Sequence, residues 1–186
     1  ATANIAEGGA AQVFVTAAGG TAVVAVAADY VATGTTASVG TGTTTFNSAD
    51  GIDVNLTSAA AVTVGTDGFV INGLATATAG SILIGSAGLD TITGGDQIDT
   101  LTGLAGNDII VGGAGADIID GGVGNDIISG GTGVDIITVN SGTDAVTLIK
   151  TEADRVNIGN GATANIAEGG AAQVFVTAAG GTAVVA

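Results

Sequence analysis

Hydrophobic and polar positions alternate on a fixed beat through the middle of the chain. An aliphatic residue returns every ninth position, at Leu83, Ile92, Leu101, Ile110, Ile119, Ile128 and Ile137. Each is the centre of a short aliphatic or β-branched segment, such as Thr91-Ile92-Thr93, and a stretch rich in Gly and Asp separates one segment from the next. Three residues with an apolar centre suit a short strand with one inward side chain, and a glycine-rich stretch suits a tight turn. The spacing predicts stacked short strands joined by turns over residues 76–147, with the apolar ladder starting at Leu83, one unit before the acids begin.

Residues 10–84 carry a looser pattern. The segments AQVFVTA, TAVVAVAADYVA, GIDVNL, AVTVG and GFVING are rich in Val, Ile, Phe and Thr, with Gly, Asp, Asn or Ser between them, which predicts strands and turns. Helix competes only around residues 23–32, where alanine is dense, and the valines and flanking glycines favour strand there too. Small side chains throughout predict thin, closely packed layers, either solenoid coils or a small sandwich. Phe14, Phe46, Phe69 and Phe175 are expected to plug that core locally.

A longer period encloses the short one. Residues 1–25 recur without a change as residues 162–186. The chain therefore divides into a β-rich segment (1–75), the nonapeptide region (76–147), a closing or linking segment (148–161) and the start of a next unit (162–186). Identity of that length points to a tandem array in which each unit covers the end of its neighbour. The duplicated segment is the expected junction, completing a fold or joining two molecules.

Composition removes most chemistry. With neither Cys nor His in 186 residues there is no thiolate and no imidazole, and no HExxH or GxSxG pattern occurs, so no enzyme is expected. Seventeen acids against Lys150 and Arg155 give a formal charge of -15, which argues against nucleic acid or an anionic membrane as partner and for cations. No uninterrupted apolar run of about 18 residues and no amino-terminal basic-apolar signal occur, so direct membrane insertion is not expected.

Aspartate keeps the nine-residue beat as well, at Asp90, Asp99, Asp108, Asp117, Asp126, Asp135 and Asp144. The units GGAGADIID (112–120), GGVGNDIIS (121–129) and GGTGVDIIT (130–138) match every fixed position of the pattern GGxGxDxUx. GLAGNDIIV (103–111) and GSAGLDTIT (85–93) miss only the second glycine, a loss expected to be tolerated where the backbone at Leu104 and Ser86 keeps ordinary dihedrals. GGDQIDTLT (94–102) has Gln97 for the fourth-position glycine, and VNSGTDAVT (139–147) lacks the leading pair, which makes those two units the weaker candidates.

These seven units resemble the glycine- and aspartate-rich nonapeptide repeats of secreted bacterial RTX proteins. The resemblance implies an all-β parallel β-roll or β-solenoid with two nonapeptides per coil. It also implies Ca2+ between stacked turns, held by an Asp from each of two units 18 residues apart and by carbonyls of the glycine turns. Calcium's preference for six to eight hard oxygens fits that donor set. The candidate pairs are Asp90 with Asp108, Asp99 with Asp117, Asp108 with Asp126, Asp117 with Asp135, and Asp126 with Asp144, the middle three being the strongest. Without metal, the aligned carboxylates repel and the glycine-rich run is expected to lose its fold.

Acids off the beat are expected to do less. Asp120 is expected to be solvated, and Asp29, Asp50, Asp53 and Asp67 to cap loops. Three functions stay open. The leading one is an extracellular, calcium-stabilised structural repeat protein of the bacterial surface that self-associates with neighbouring copies into a filament, surface layer or adhesin stalk. The others are a calcium-dependent folding and secretion module of a secreted enzyme or toxin, and a surface- or carbohydrate-binding module. The last would rest on Tyr30, the single tyrosine.

Overall fold

A computed structural model describes residues 2–5, 13–15, 21–26, 30–31, 37–39, 43–48, 51, 54–56, 60–61, 68–73, 75–149, 153–159, 161–167, 173–176 and 181–185. Its strands form three parallel sheets. The first has ten strands, in order Thr2–Ile5, Thr21–Val26, Thr43–Ser48, Phe69–Asn72, Thr91–Thr93, Ile109–Ala114, Ile127–Thr132, Gly142–Thr147, Ala162–Ala167 and Thr182–Val185. The second has eight, running from Tyr30–Val31 through Val54–Asn55, Ile82–Ile84, Thr100–Thr102, Ile118–Asp120, Ile136–Val139 and Arg155–Ile158 to Gln173–Val176. Val13–Val15, Ala37–Val39 and Ala60–Ala61 make the third.

Neighbours in each sheet are never neighbours in sequence, so the chain winds as a solenoid. Over residues 82–147 it visits the first and second sheets in turn, and Thr91 pairs with Ile109 and Thr100 with Ile118, two nonapeptides per coil. Before that it visits all three sheets, and the coils are longer: Thr21 pairs with Thr43, Thr44 with Phe69, and Val70 with Thr91. The amino-terminal segment is thus built of solenoid coils and not of a sandwich. Strands at Thr21–Val26 and Tyr30–Val31 settle the competition with helix at those residues. Among the described residues no helix is long and apolar enough to cross a membrane.

The three-residue strands between Ile82 and Asp120 bury their centres and turn their flanks outward, as at Thr91–Thr93 and Thr100–Thr102. The seven ladder residues from Leu83 to Ile137 are all fully buried. Phe46, Val54 and Ile71 extend the ladder on one side, and Val146, Val156 and Ile166 on the other. Burial of one such side chain stabilises by about 1.5–3 kcal/mol, so the ladder supplies the apolar cohesion of a core with few bulky groups. Phe46 and Phe69 fill the wider coils, their rings in an edge contact at 5.8 Å and 63°. The side chains of Phe14, Tyr30 and Phe175 lie outside the described residues, as do Asp29, Asp50, Asp53 and Asp67.

Past residue 147 the same two sheets continue. Leu148, Val156 and Ile158 are buried, and Arg155–Ile158 pairs with Ile136–Val139. The duplicated segment carries on from there. Thr163 pairs with Thr182 as Thr2 pairs with Thr21, so both copies adopt the same register within the first sheet.

Candidate metal centre

The acids on the nine-residue beat point inward. Asp90, Asp99, Asp108, Asp117, Asp126, Asp135 and Asp144 are all buried, in two columns. One column stacks Asp90, Asp108, Asp126 and Asp144 at the start of first-sheet strands, and the other stacks Asp99, Asp117 and Asp135 at the start of second-sheet strands.

A single hydrogen-bond rule builds both columns. The backbone N–H of each Asp donates to Oδ1 of the Asp one coil later: Asp90 to Asp108 at 2.8 Å, Asp99 to Asp117 at 2.8 Å, Asp108 to Asp126 at 2.9 Å. Asp117 donates to Asp135 and Asp126 to Asp144 in the same way, both at 2.9 Å. The carbonyl of each Asp meanwhile accepts the first strand amide of the next coil, as Asp108 does from Ile127 at 2.8 Å. The carboxylate thus adds one rung to the parallel ladder where the backbone bends away into the turn. All five expected pairs stand one above the other.

The second oxygen divides the units. Oδ2 of Asp108, Asp117, Asp126 and Asp144 is buried and accepts no hydrogen bond among the described residues. Oδ2 of Asp90 accepts the Ser86 amide at 2.6 Å and the Ser86 hydroxyl at 3.0 Å, and Oδ2 of Asp99 accepts the Gly95 amide at 2.6 Å. Burial raises the carboxyls of Asp108, Asp117 and Asp126 well above the ordinary 3.8. Asp108 and Asp117 are pushed up to about 7 and Asp126 to about 6, by desolvation first; the amide of the preceding coil opposes the rise and neighbouring carboxylates add to it. Burial raises Asp144 and Asp90 too, with the Ser86 and Phe69 amides opposing at Asp90.

The leading glycine of each unit completes the site. A methyl group on Gly112 would overlap the Gly130 carbonyl oxygen and lie 2.5 Å from Asp117 Oδ2. Gly103 stands likewise against Asp108 Oδ2 and the Gly121 carbonyl. Only a bare α-carbon leaves room for a cradle of one carboxylate oxygen and one carbonyl oxygen from the coil above. Around Gly121 the cradle changes, because its counterpart one coil later is Val139 and the Ile128 side chain comes within 3.0 Å of the added methyl.

No three acids converge among the described residues. The donor set is carboxylate plus backbone carbonyl, all hard oxygen, and the oxygens left without a hydrogen bond stand where only glycine lets them stand. That arrangement fits Ca2+ and fits no soft metal.

Three features escaped the sequence. Asp154 is buried in the second-sheet column, where its Oδ1 accepts the Asp135 amide at 2.9 Å across a step of 19 residues. One inserted residue hides it from the nine-residue beat; the signal that remains is an acid two places before a core aliphatic, Asp154 before Val156. Leu104 does not keep an ordinary dihedral: its φ is +80°, the only positive value at a non-glycine among the described residues. The expectation of tolerance through ordinary geometry holds at Ser86 and fails at Leu104, whose carbonyl accepts the Val123 amide of the turn above at 2.7 Å and which shares the positive φ of Gly122 in that turn. Asp120 is half-buried rather than solvated, accepting the Asn140 side-chain amide at 2.6 Å and the Gly122 amide at 3.1 Å. Burial raises its carboxyl, with the Gly122 amide opposing.

Fold and site together define a parallel β-roll with acid-lined turns. Residues 84–119, 93–128 and 112–146 match the family model of the RTX calcium-binding nonapeptide repeat, built of four copies. Residues 84–146 are therefore similar to RTX calcium-binding nonapeptide repeats. No curated protein and no solved structure matches the chain.

Proposed function

We propose that the chain is an extracellular, calcium-stabilised structural protein of the bacterial surface whose units join end to end into a filament, surface layer or adhesin stalk. The observation that carries this is the junction. Residues 162–186 repeat residues 1–25 in sequence, Thr163–Ile166 pairs with Thr182–Val185 as Thr2–Ile5 pairs with Thr21–Val24, and Ala162–Ala167 extends the first sheet directly from Gly142–Thr147. A tandem array built on that junction has one uninterrupted sheet along its length.

The second sheet supports the same reading. Gln173–Val176 pairs with Arg155–Ile158, whereas its counterpart Val13–Val15 pairs with Ala37–Val39 in the third sheet. In an array, the second sheet of one unit hands over to the third sheet of the next. Outward-facing Ile82, Ile118 and Ile136, with Thr100 between the first two, add exposed aliphatic side chains along the second sheet, a surface that a neighbouring copy would cover.

Calcium's part is to neutralise buried carboxylates and tie each turn to the coil above, with Asp108, Asp117 and Asp126 foremost among its ligands. Electron microscopy of the chain in millimolar calcium and after chelation tests the whole reading. Filaments or sheets that lose order on chelation are expected. Small monodisperse particles in both conditions would move the assignment to a folding and secretion module of a secreted enzyme or toxin.

A further inference from the structure

The six units that open with glycine use two different turns. In units 103–111, 112–120, 121–129 and 130–138 the second residue has positive φ: Leu104 at +80°, Gly113 at +116°, Gly122 at +97° and Gly131 at +99°. In units 85–93 and 94–102 neither Ser86 nor Gly95 does, and Gln97 also keeps ordinary φ. The consequence is one of hydrogen-bond supply. With ordinary φ, the second-position amide points at the unit's own carboxylate and caps its Oδ2 at 2.6 Å. With positive φ it turns elsewhere. The Gly122 amide goes to Asp120, and Gly113 and Gly131 stand in register in the first sheet, neither amide donating to the carboxylate of its own unit.

We infer that the calcium-binding register starts at Asp108 and not at the first acid of the repeat, and that the backbone at the second position makes the choice. The inference rests on the proposed calcium role of the acid columns and narrows it. At Asp90, two amides and a hydroxyl already direct protons at the carboxylate: Phe69 at 2.6 Å, Ser86 N at 2.6 Å and Ser86 Oγ at 3.0 Å. At Asp99, Ser81 and Gly95 do the same at 2.7 and 2.6 Å. A cation there would have to displace donors aimed at the oxygen it needs. These two turns are closed by the protein itself and need no metal.

At Asp108 and Asp117 the opposite holds. A buried carboxylate oxygen and a glycine carbonyl of the coil above flank one bare α-carbon, with no proton between them. Two such oxygens repel until a cation enters. Leu104 is the local sign of that demand, since a leucine is held at a glycine dihedral in the one open turn that lacks glycine there. The closed turns adjoin the Phe69 coil and the open ones lie beyond it, so metal-independent order passes into metal-dependent order between Asp99 and Asp108.

Calcium bound per chain, counted by equilibrium dialysis on the full chain, tests this. Asp108→Asn and Asp117→Asn are each expected to remove one bound ion or weaken its binding at least tenfold. Asp90→Asn is expected to leave the count unchanged. Anomalous scattering from calcium-grown crystals of the unaltered chain answers without substitution: density against Gly103 and Gly112 and none against Gly85 and Gly94 is the expected map. Calcium density against Gly85, or a count that falls with Asp90→Asn as far as with Asp108→Asn, would overturn the inference and leave the calcium role intact. An unaltered chain that takes up no calcium at all would overturn both.

Discussion

The amino-terminal coils and the roll share one continuous sheet but bury different interiors. At the inward position at the start of the first-sheet strands, the coils place Thr44 and Phe69, the roll places Asp90, Asp108, Asp126 and Asp144, and the duplicated segment places Ala164. A coil filled by Phe46 and Phe69 gains cohesion from apolar burial alone. A coil filled by carboxylates gains it only once a proton, a donor or a cation has answered the charge. One column of side chains thus decides whether identical parallel stacking is unconditional or depends on its surroundings.

Removing divalent cations is the widest test of that difference. Amide hydrogen exchange in chelator is expected to lose protection across Ile109–Ala114, Ile118–Asp120 and Ile127–Thr132 while Phe69–Asn72 keeps its own. Equal loss in both regions would show that the coils have no stability apart from the roll. Substitution sharpens the contrast. Phe46→Ala is expected to cost about 3–5 kcal/mol whether or not calcium is present, whereas Ile119→Ala, at about 2–5 kcal/mol, is measurable as such only in calcium, by denaturant unfolding.

Acid should substitute in part for metal. Folded Asp108 and Asp117 hold their protons up to about 7 and Asp126 up to about 6, against an ordinary 3.8 when unfolded. Between those limits the folded chain binds more protons at these three groups than the unfolded chain, so their contribution to metal-free stability is fully present below about pH 4 and is lost as pH rises towards 7. Thermal unfolding in chelator across that range checks the sign; a midpoint that climbs with pH would contradict it. Calcium uptake near pH 6.5 should release protons for the same reason. The smallest expected effect is local: Leu104→Gly relieves a positive φ and should stabilise the roll by about 0.5–1 kcal/mol after the added chain entropy of glycine is subtracted.

Much of this was legible in advance. The nine-residue aliphatic beat corresponds to the buried ladder from Leu83 to Ile137, because a strand of three residues has only one inward place and the same residue type must fill it in every coil. Asp154 was hidden because a single inserted residue shifts a periodic pattern while leaving the stack free to absorb the slip at a turn. For residues 1–75 coils and sandwich could not be told apart, because short strands of Val and Thr read the same in either.

Sequence by itself determined the period, the parallel roll, the inward acids as candidates, the exclusion of thiolate and imidazole chemistry, and the duplicated 25-residue segment. These are properties of residue type and spacing along the chain. Only the tertiary structure decided that the amino-terminal segment continues the solenoid, that Asp154 joins a column, and that Asp90 and Asp99 are capped while Asp108 and Asp117 are not. The reason is physical: what a carboxylate oxygen meets depends on the dihedral of a turn residue and on a carbonyl one coil away, and stacking, not the local nonapeptide, sets both.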